Sequence, residues 1–567
     1  MEELLHGDEK METSRQRLDY DQLSFFTYAL AVLVALSVWF LAVRAPLWLD
    51  ETVSYWSIAG GFRQIWARSV EANSFPAYFY ILWLTNAVFG SKEIVLRIPS
   101  ILAMLAATCV FYRCARELLA REVALVATVL FIIDSRVAFA AIDVRPYAFA
   151  LLVTNVAIFS FLRWSKTKKV SYAALLGVTS AVIFYFHYLF GCIVAAFVIA
   201  YFIDRLRSPF TELRQLGVAV GCFALPIVPV LSRLWYLHQT RNTHVVSDVP
   251  AFKSFLHALG PGVVPFVFLG VVFVAALTRK LSIPDGQNVR QFQICAILAL
   301  VPSVILYGVS VATPLHIFIP RYEAVAVPGI ALCWAWIFSL IDSRLIRVLG
   351  CVVLVTLTAY LNYTSPRAGI HGRSWKYALE FADANVARDG SPLVICSGLP
   401  ESDFWSMPTG PTGESVLFAP LSYYKVRATV VPMPRDLDEQ AQLIGRRFFS
   451  RAAPNHERFL ALGFPTSYPT LYWLASLTSL THVSHVLGNF DGIAVVEFVP
   501  RNARWIEEYN HDRPHRGLHG QTAPLPLGVE SQNIFEVLPI AARDLRHFNP
   551  TVHPNSFRSF GVRCQKL

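Results

Sequence analysis

Long stretches without a charged side chain recur through the first two thirds of this chain, and they decide what it can fold into. Residues 24–43 (SFFTYALAVLVALSVWFLAV) form one, and further charge-free runs cover 98–112, 146–162, 215–232, 254–278, 291–320, 324–341 and 348–366. A bilayer core about 30 Å thick takes about 20 apolar residues per helix. Residues 170–203 hold no formal charge over 34 positions, with His187 in the middle. That length fits two spans folded as a hairpin. The run 123–133, which ends at Asp134 and Arg136, is the shortest counted, and eleven spans result. The fold class read from this pattern is a polytopic α-helical membrane protein of about 11 transmembrane helices, with a C-terminal soluble α/β domain on the outer face. A chain with 55% hydrophobic and only 16% charged residues excludes disorder and argues against an ordinary soluble enzyme.

Basic residues set the expected orientation. With eleven spans, alternate connections carry Arg113, Arg116 and Arg121; Arg163, Lys166, Lys168 and Lys169; Arg205, Arg207 and Arg214; Arg279, Lys280 and Arg290; and Arg344 and Arg347. These fifteen belong on the cytoplasmic side, and dropping the short third span would put 163–169 outside. The chain is thus expected in the cell (inner) membrane, as a multi-pass protein with a cytoplasmic N-terminal tail (1–23). The first apolar run reads as a signal anchor rather than a cleaved signal peptide. The net charge of +10 is a topology signal and does not point to nucleic acid.

The expected transmembrane module covers 24–366, with a large first external loop at 44–97. Within that loop Pro76 to Phe89 is apolar but short, which suits an interfacial or re-entrant helix. From 367 to 500 the texture is that of an extracytoplasmic α/β domain. Helices are expected at 374–388 and 437–450, and strands at 391–398, 427–433, 471–475 and 493–499. Seven cysteines fall in or beside the spans as packing residues; Cys396 and Cys564 lie outside and could pair.

Asp50-Glu51, in APLWLDETVSYW, follows the first span between Trp48 and Trp56. A partly desolvated carboxylate gains proton affinity and becomes a usable general base; the plainer reading is that the pair marks a helix start. Arg97, Arg145 and Arg321 open the second, fourth and tenth spans from the same expected face, and guanidinium suits phosphate. Asp143, Tyr147 and Tyr322 accompany them, and His187 sits at the hairpin tip. The plainer reading of these arginines is snorkelling to headgroups, and of the histidine a structural role. His316 is weaker still. No His/Cys/Asp set has metal-ligand spacing, and no glycine-rich phosphate loop follows a strand.

Taken together and in order, these pieces resemble the GT-C superfamily of integral-membrane glycosyltransferases, in the bacterial branch similar to protein O-mannosyltransferases and aminoarabinose transferase. The resemblance rests on WLDETVSYW, FPAYFYILWLTNAVFGSKEIVLRIPS, VRPYAFALL, FHYLFG (186–191) and PRYEAVAVPGIAL (320–332), across about residues 20–500. The loop departs from the family at Ser74-Phe75-Pro76, where a His-Pro-Pro or Lys-Pro-Pro type sequence is usual. The resemblance implies a sugar donor on a polyprenyl phosphate and transfer to an acceptor hydroxyl on the outer face with inversion. By the same resemblance Asp50 is the general base and Glu51 orients it or contacts the acceptor. Arg145, Tyr147 and Arg321 hold the lipid phosphate, with Arg97, Asp143, His187 and Tyr322 in the donor-binding group. The partners implied are the lipid-linked donor, membrane lipids and an acceptor that is a protein, a lipid or a glycan. No cofactor is called for, and a divalent cation is left open. The alternative is a transporter or flippase for a lipid-linked saccharide, which would carry ionisable residues within its spans; here they cluster at one face.

Residues 503–527 (ARWIEEYNHDRPHRGLHGQTAPLPL) resemble the end of the integrase core of insertion-sequence transposases. The acidic-triad domain that should precede such an end is missing, so 501–567 reads as a transposase-like C-terminal extension without DNA chemistry. The other reading is that its five histidines form an adventitious metal site.

Overall fold

The computed structural model describes residues 26–205, 213–240, 248–282, 286–364, 374–387, 389–452 and 457–501. The expected tail 1–23, Cys564 and the transposase-like extension beyond Arg501 lie outside these residues. The described chain forms two compact units: one of residues 26–45 and 57–364, the other of Pro46–Trp56 together with 374–501. The segment Pro46–Trp56, expected as part of the first external loop, therefore belongs to the same unit as the C-terminal domain.

The first unit is helical. Seven of its described helices are long and apolar enough to cross a membrane: Glu93–Leu118, Tyr147–Thr167, Tyr188–Arg205, Leu213–Gln239, Val289–Ala312, Pro320–Ser339 and Arg344–Leu361. Two bent pairs, Arg121–Ile133 with Ser135–Ile142 (63°) and Phe252–Leu259 with Val264–Leu277 (58°), raise the number to nine if each is one span. The remaining two of the eleven expected spans correspond to the shorter apolar helices Phe26–Trp39 and Val170–Phe186. A third short apolar helix, Ala77–Phe89, starts at Pro76 in the loop.

Both breaks have local causes. Asp134 leaves the helical region (φ −60°, ψ 128°) and caps the next helix, its side chain accepting from the Arg136 amide. The second break carries Gly260, Pro261 and Gly262, the last at φ 59°. Close helix packing elsewhere depends on small residues. A Cβ on Gly329 would lie 2.3 Å from the Ala299 amide nitrogen, so Pro320–Ser339 meets Val289–Ala312 backbone to backbone. At one end of the helices, basic residues expected on the cytoplasmic side share acidic partners. Arg163 and Lys166 lie 3.2 and 3.0 Å from Glu117, and Arg344 and Arg347 lie 2.6 and 3.1 Å from Glu122.

The second unit is built on a five-stranded sheet of order β2-β1-β3-β5-β4. The strands are β1 (Leu393–Cys396), β2 (Val430–Met433), β3 (Phe459–Gly463), β4 (His482–Phe490) and β5 (Ile493–Pro500). β1 runs parallel to β2 and β3, while β5 is antiparallel to β3 and β4. Asp491 (φ 52°) and Gly492 (φ 95°) turn β4 into β5, the left-handed pair that a two-residue hairpin needs. The strand expected at 471–475 is instead helix Tyr468–Leu477. Tyr468, Leu471, Tyr472 and Ala475 are buried at helical spacing, and a short apolar run does not by itself distinguish the two periods. β3 and β4 were not expected. Helix Trp375–Val386 starts where Ser374 Oγ accepts from the Tyr377 amide at 3.3 Å. Cys396 is buried in β1.

Candidate active site

The acid pair sits in the first turn of helix Leu49–Ala59, within the second unit. The Trp48 amide donates to Glu51 Oε2 at 3.1 Å. A glutamate at the third helical position reaching back to the cap amide is half of a capping box. Glu51 is fully buried, whereas Asp50 beside it is partly exposed. A carboxylate near a helix N-terminus is also favoured by the helix dipole. Two more hydrogen bonds fix the ends of this segment. The Leu47 amide donates to the Tyr424 hydroxyl at 2.7 Å, and Trp56 Nε1 donates to the Glu414 carbonyl at 2.9 Å.

The other candidate residues belong to the helical unit. Pro146 caps helix Tyr147–Thr167, setting Arg145 just outside it and Tyr147 in its first turn. His187 ends Val170–Phe186, where the chain turns into Tyr188–Gly191. Pro320 starts the short turn carrying Arg321 and Tyr322. These three entries converge on one cluster of rings. The His187 ring centroid lies 5.1 Å from Tyr147 and 5.0 Å from Tyr322, and Tyr147 and Tyr322 are 6.4 Å apart. Phe190 closes another side at 5.3 Å from His187, and the Arg321 guanidinium lies 5.3 Å over the Tyr322 ring. Burial, then the positive charges of Arg145 and Arg321, push the His187 imidazole down to about 3, so it is neutral at ordinary pH. The structure thus brings Arg145, Tyr147, His187, Arg321 and Tyr322 together.

Arg97 and Asp143 are fully buried. Arg97 Nη1 donates to the carbonyls of Val43 and Ala45 at 2.8 and 2.6 Å, clamping the exit of the first apolar helix. Asp143 ends helix Ser135–Ile142. Sequence reasoning missed a buried ion group beside this cluster. Arg136 holds Asp134 through two bonds (Nε–Oδ1 2.9 Å, Nη2–Oδ2 2.7 Å), and its Nη1 reaches Glu323 Oε2 at 3.5 Å and the Ala258 carbonyl at 3.0 Å. It ties both bent helix pairs to the turn that presents Arg321. The available signal was Asp134 and Arg136 directly after an apolar run. Among the described residues no group of three His, Cys, Asp or Glu could hold a metal ion.

Residues 73–232 match the family model of dolichyl-phosphate-mannose-protein mannosyltransferases, a segment that includes Arg97, Asp143, Arg145, Tyr147 and His187. No curated protein sequence matches the chain. Among solved structures, the chain is similar to ArnT from Cupriavidus metallidurans in the apo state, at 14% identity and a TM-score of 0.50, covering 83% of this chain and 97% of that one. The same protein bound to undecaprenyl phosphate aligns at 14% identity, with the same coverage and a TM-score of 0.48. An Archaeoglobus fulgidus oligosaccharyltransferase tethered to an acceptor peptide aligns at 10% identity and a TM-score of 0.45, over 85% of this chain and 74% of that one. The family match thus covers residues 73–232, and the likeness to ArnT shows a shared fold for a chain whose described helices include seven long and apolar enough to cross a membrane.

Proposed function

We propose that the chain transfers a sugar from a polyprenyl phosphate to an acceptor hydroxyl at the outer face of the cell membrane, with inversion at the anomeric carbon. The observation that carries this reading is the cluster in which Arg145 and Arg321 lie near His187 among Tyr147 and Tyr322. It lies on a chain whose 73–232 segment matches mannosyltransferases named for a dolichyl-phosphate sugar donor.

The chemistry follows from the groups present. The acceptor oxygen attacks the anomeric carbon, the bond from that carbon to the phosphate oxygen breaks, and the acceptor proton passes to the Asp50 carboxylate. The leaving prenyl phosphate gathers negative charge, which guanidinium groups fixed beforehand stabilise without reorganising. His187, being neutral, adds a hydrogen-bonding edge and no charge. Glu51 keeps the first helical turn closed and so orients Asp50. In this reading the N-terminal tail is cytoplasmic, the sheet unit is extracytoplasmic, and the acceptor is a protein, a lipid or a glycan.

A deletion strain should accumulate a prenyl-phosphate sugar, detected by mass spectrometry of extracted lipids. Complementation with the intact chain should clear it, and with Asp50→Asn it should not, although Asp50→Asn folds and retains prenyl phosphate. A positioned general base contributes about 10²–10⁴-fold. Clearance by Asp50→Asn at the rate of the intact chain would remove Asp50 from the role, and the absence of any accumulating prenyl sugar would remove the donor class.

A further inference from the structure

The segment carrying the acid pair is bound at both ends by one stretch of the C-terminal domain. Leu47, three residues before Asp50, donates its amide to the Tyr424 hydroxyl, and Trp56, six residues after it, donates Nε1 to the Glu414 carbonyl. Between these bonds the Tyr55 ring meets the Tyr423 ring edge-on at 4.8 Å, and Tyr423 meets Tyr424 in the same way at 4.8 Å. A third anchor stands just after β1. A Cβ on Gly398 would come 2.9 Å from Leu49 Cδ2, 3.2 Å from Phe464 and 3.3 Å from Trp375, so the residue before Asp50 packs closely against Gly398 and a larger residue there would make Leu49 shift. Leu47 and Leu49 are buried, Trp56 is 1% exposed and Tyr424 is 8% exposed, so the Leu47–Tyr424 bond is buried and the Trp56–Glu414 bond partly so.

We propose that Tyr424, with the Glu414 carbonyl and the Gly398 seat, positions the acid pair for catalysis, making the C-terminal domain a working part of the transfer site. This rests on Asp50 being the base. A helix of eleven residues would be marginal in water on its own. Its first turn, where Asp50 sits, is therefore set by what grips its ends. Misplacing a reacting group by 1 Å costs about 10²-fold in rate, so such a grip is visible in turnover. Tyr424 acts through the backbone of Leu47 and is a positioning residue, not a catalytic one.

The test uses the full chain in lipid nanodiscs, with the prenyl-phosphate sugar purified from the deletion strain as donor. Tyr424→Phe removes one hydroxyl and keeps the ring. It should lower kcat at least tenfold with KM for the donor unchanged, and hydrogen exchange of the peptide containing Leu47 should quicken. Trp56→Phe, which removes the other donor, should give the same split. In the Asp50→Asn background Tyr424→Phe should cost nothing further, because it acts only through Asp50. Wild-type kcat in Tyr424→Phe and Trp56→Phe, with transfer lost in Asp50→Asn, would overturn the positioning and leave the proposed function standing. A full multiplicative loss in the double variant would show general damage and also overturn it. Unimpaired transfer by Asp50→Asn would instead overturn the base assignment, and the positioning with it.

Discussion

Glu51 ends on a main-chain amide, whereas His187 is walled by Tyr147, Tyr322 and Phe190. The acid pair is fixed by hydrogen bonds to backbone and by anchors far away in sequence; in the cationic group His187 is enclosed by rings from three parts of the chain, and Arg321 lies over one of them. The two solutions suit different chemistry. A hydrogen bond gives a carboxylate direction at the cost of a lone pair, and here it fixes Glu51 in the helical turn that carries Asp50. A ring face confines a guanidinium from above, as Tyr322 does Arg321, and that contact does not use the in-plane N–H groups with which arginine grips phosphate. Under the proposed transfer, direction matters at Asp50 and charge at the leaving phosphate; the acid pair and the cationic cluster, each within its own unit, are built in those two ways.

The largest effect expected on this contrast comes from the support beneath the cationic half. Arg136→Met would leave Asp134 and Glu323 buried without their cation, where removing one partner of a buried pair costs about 3–5 kcal/mol. Thermal unfolding in nanodiscs should show a markedly less stable helical unit. Unchanged stability would mean that the aromatic cluster holds the Arg321 turn by itself. Next in size, Arg321→Gln should weaken retention of undecaprenyl phosphate about tenfold to a hundredfold, as loss of a charge-assisted hydrogen bond of about 1.5–3 kcal/mol implies. Arg321→Lys should not restore it, because an ammonium neither forks nor stacks on Tyr322. Native mass spectrometry of the bound lipid reads both, and equal retention by the lysine variant would reduce the site to a point charge.

Much of the helical unit was legible, because a span is a local property: twenty or so apolar residues announce themselves wherever they occur. The helix expected from residue 374 likewise starts there, at Trp375 after the Ser374 cap. What escaped was set by partners distant in sequence. Nothing in APLWLDETVSYW says that Leu47 and Trp56 bond to Tyr424 and Glu414, which lie in an irregular stretch of short turns. The FLALG strand, five apolar residues after Arg458, was short enough to pass as a loop edge until β1 and β5 bracketed it. Tyr468–Leu477 went the other way, since its aromatic content favoured a strand and only its buried face shows the helix. The donor cluster was readable residue by residue, but the convergence of His187 with Tyr147 and Tyr322 is a product of packing.

His187 sharpens the comparison through pH. Burial and the charges of Arg145 and Arg321 hold its pKa near 3 in the fold, below the ordinary value of about 6.5 in an unfolded chain. Between those values the unfolded chain binds a proton that the fold refuses, so stability falls as pH drops from about 6.5 toward 3. His187→Gln should flatten this acid slope when the melting temperature is followed from pH 7.5 to 4. An unchanged slope would mean that the imidazole is solvated, and that the rings do not confine the cluster as described.

The smallest effect discriminates most finely, because Glu51 is where a cap and an acid coincide. Glutamine has the same reach and keeps a side-chain oxygen, and either residue closes a capping box. If Glu51 serves through the Trp48 amide alone, Glu51→Gln should change stability by only a few tenths of a kcal/mol. Transfer should stay within about threefold of the intact chain, since a shift of 1.4 kcal/mol would be needed for tenfold. Glu51→Ala, which empties a fully buried position and frees the amide, should cost about 1 kcal/mol in the thermal transition and lower kcat as the first turn loosens. A large loss of kcat in Glu51→Gln, at unchanged stability, would show that the second carboxylate acts by its charge. The acid pair would then be electrostatic like the cationic half, and the division between direction on one side and charge on the other would fall.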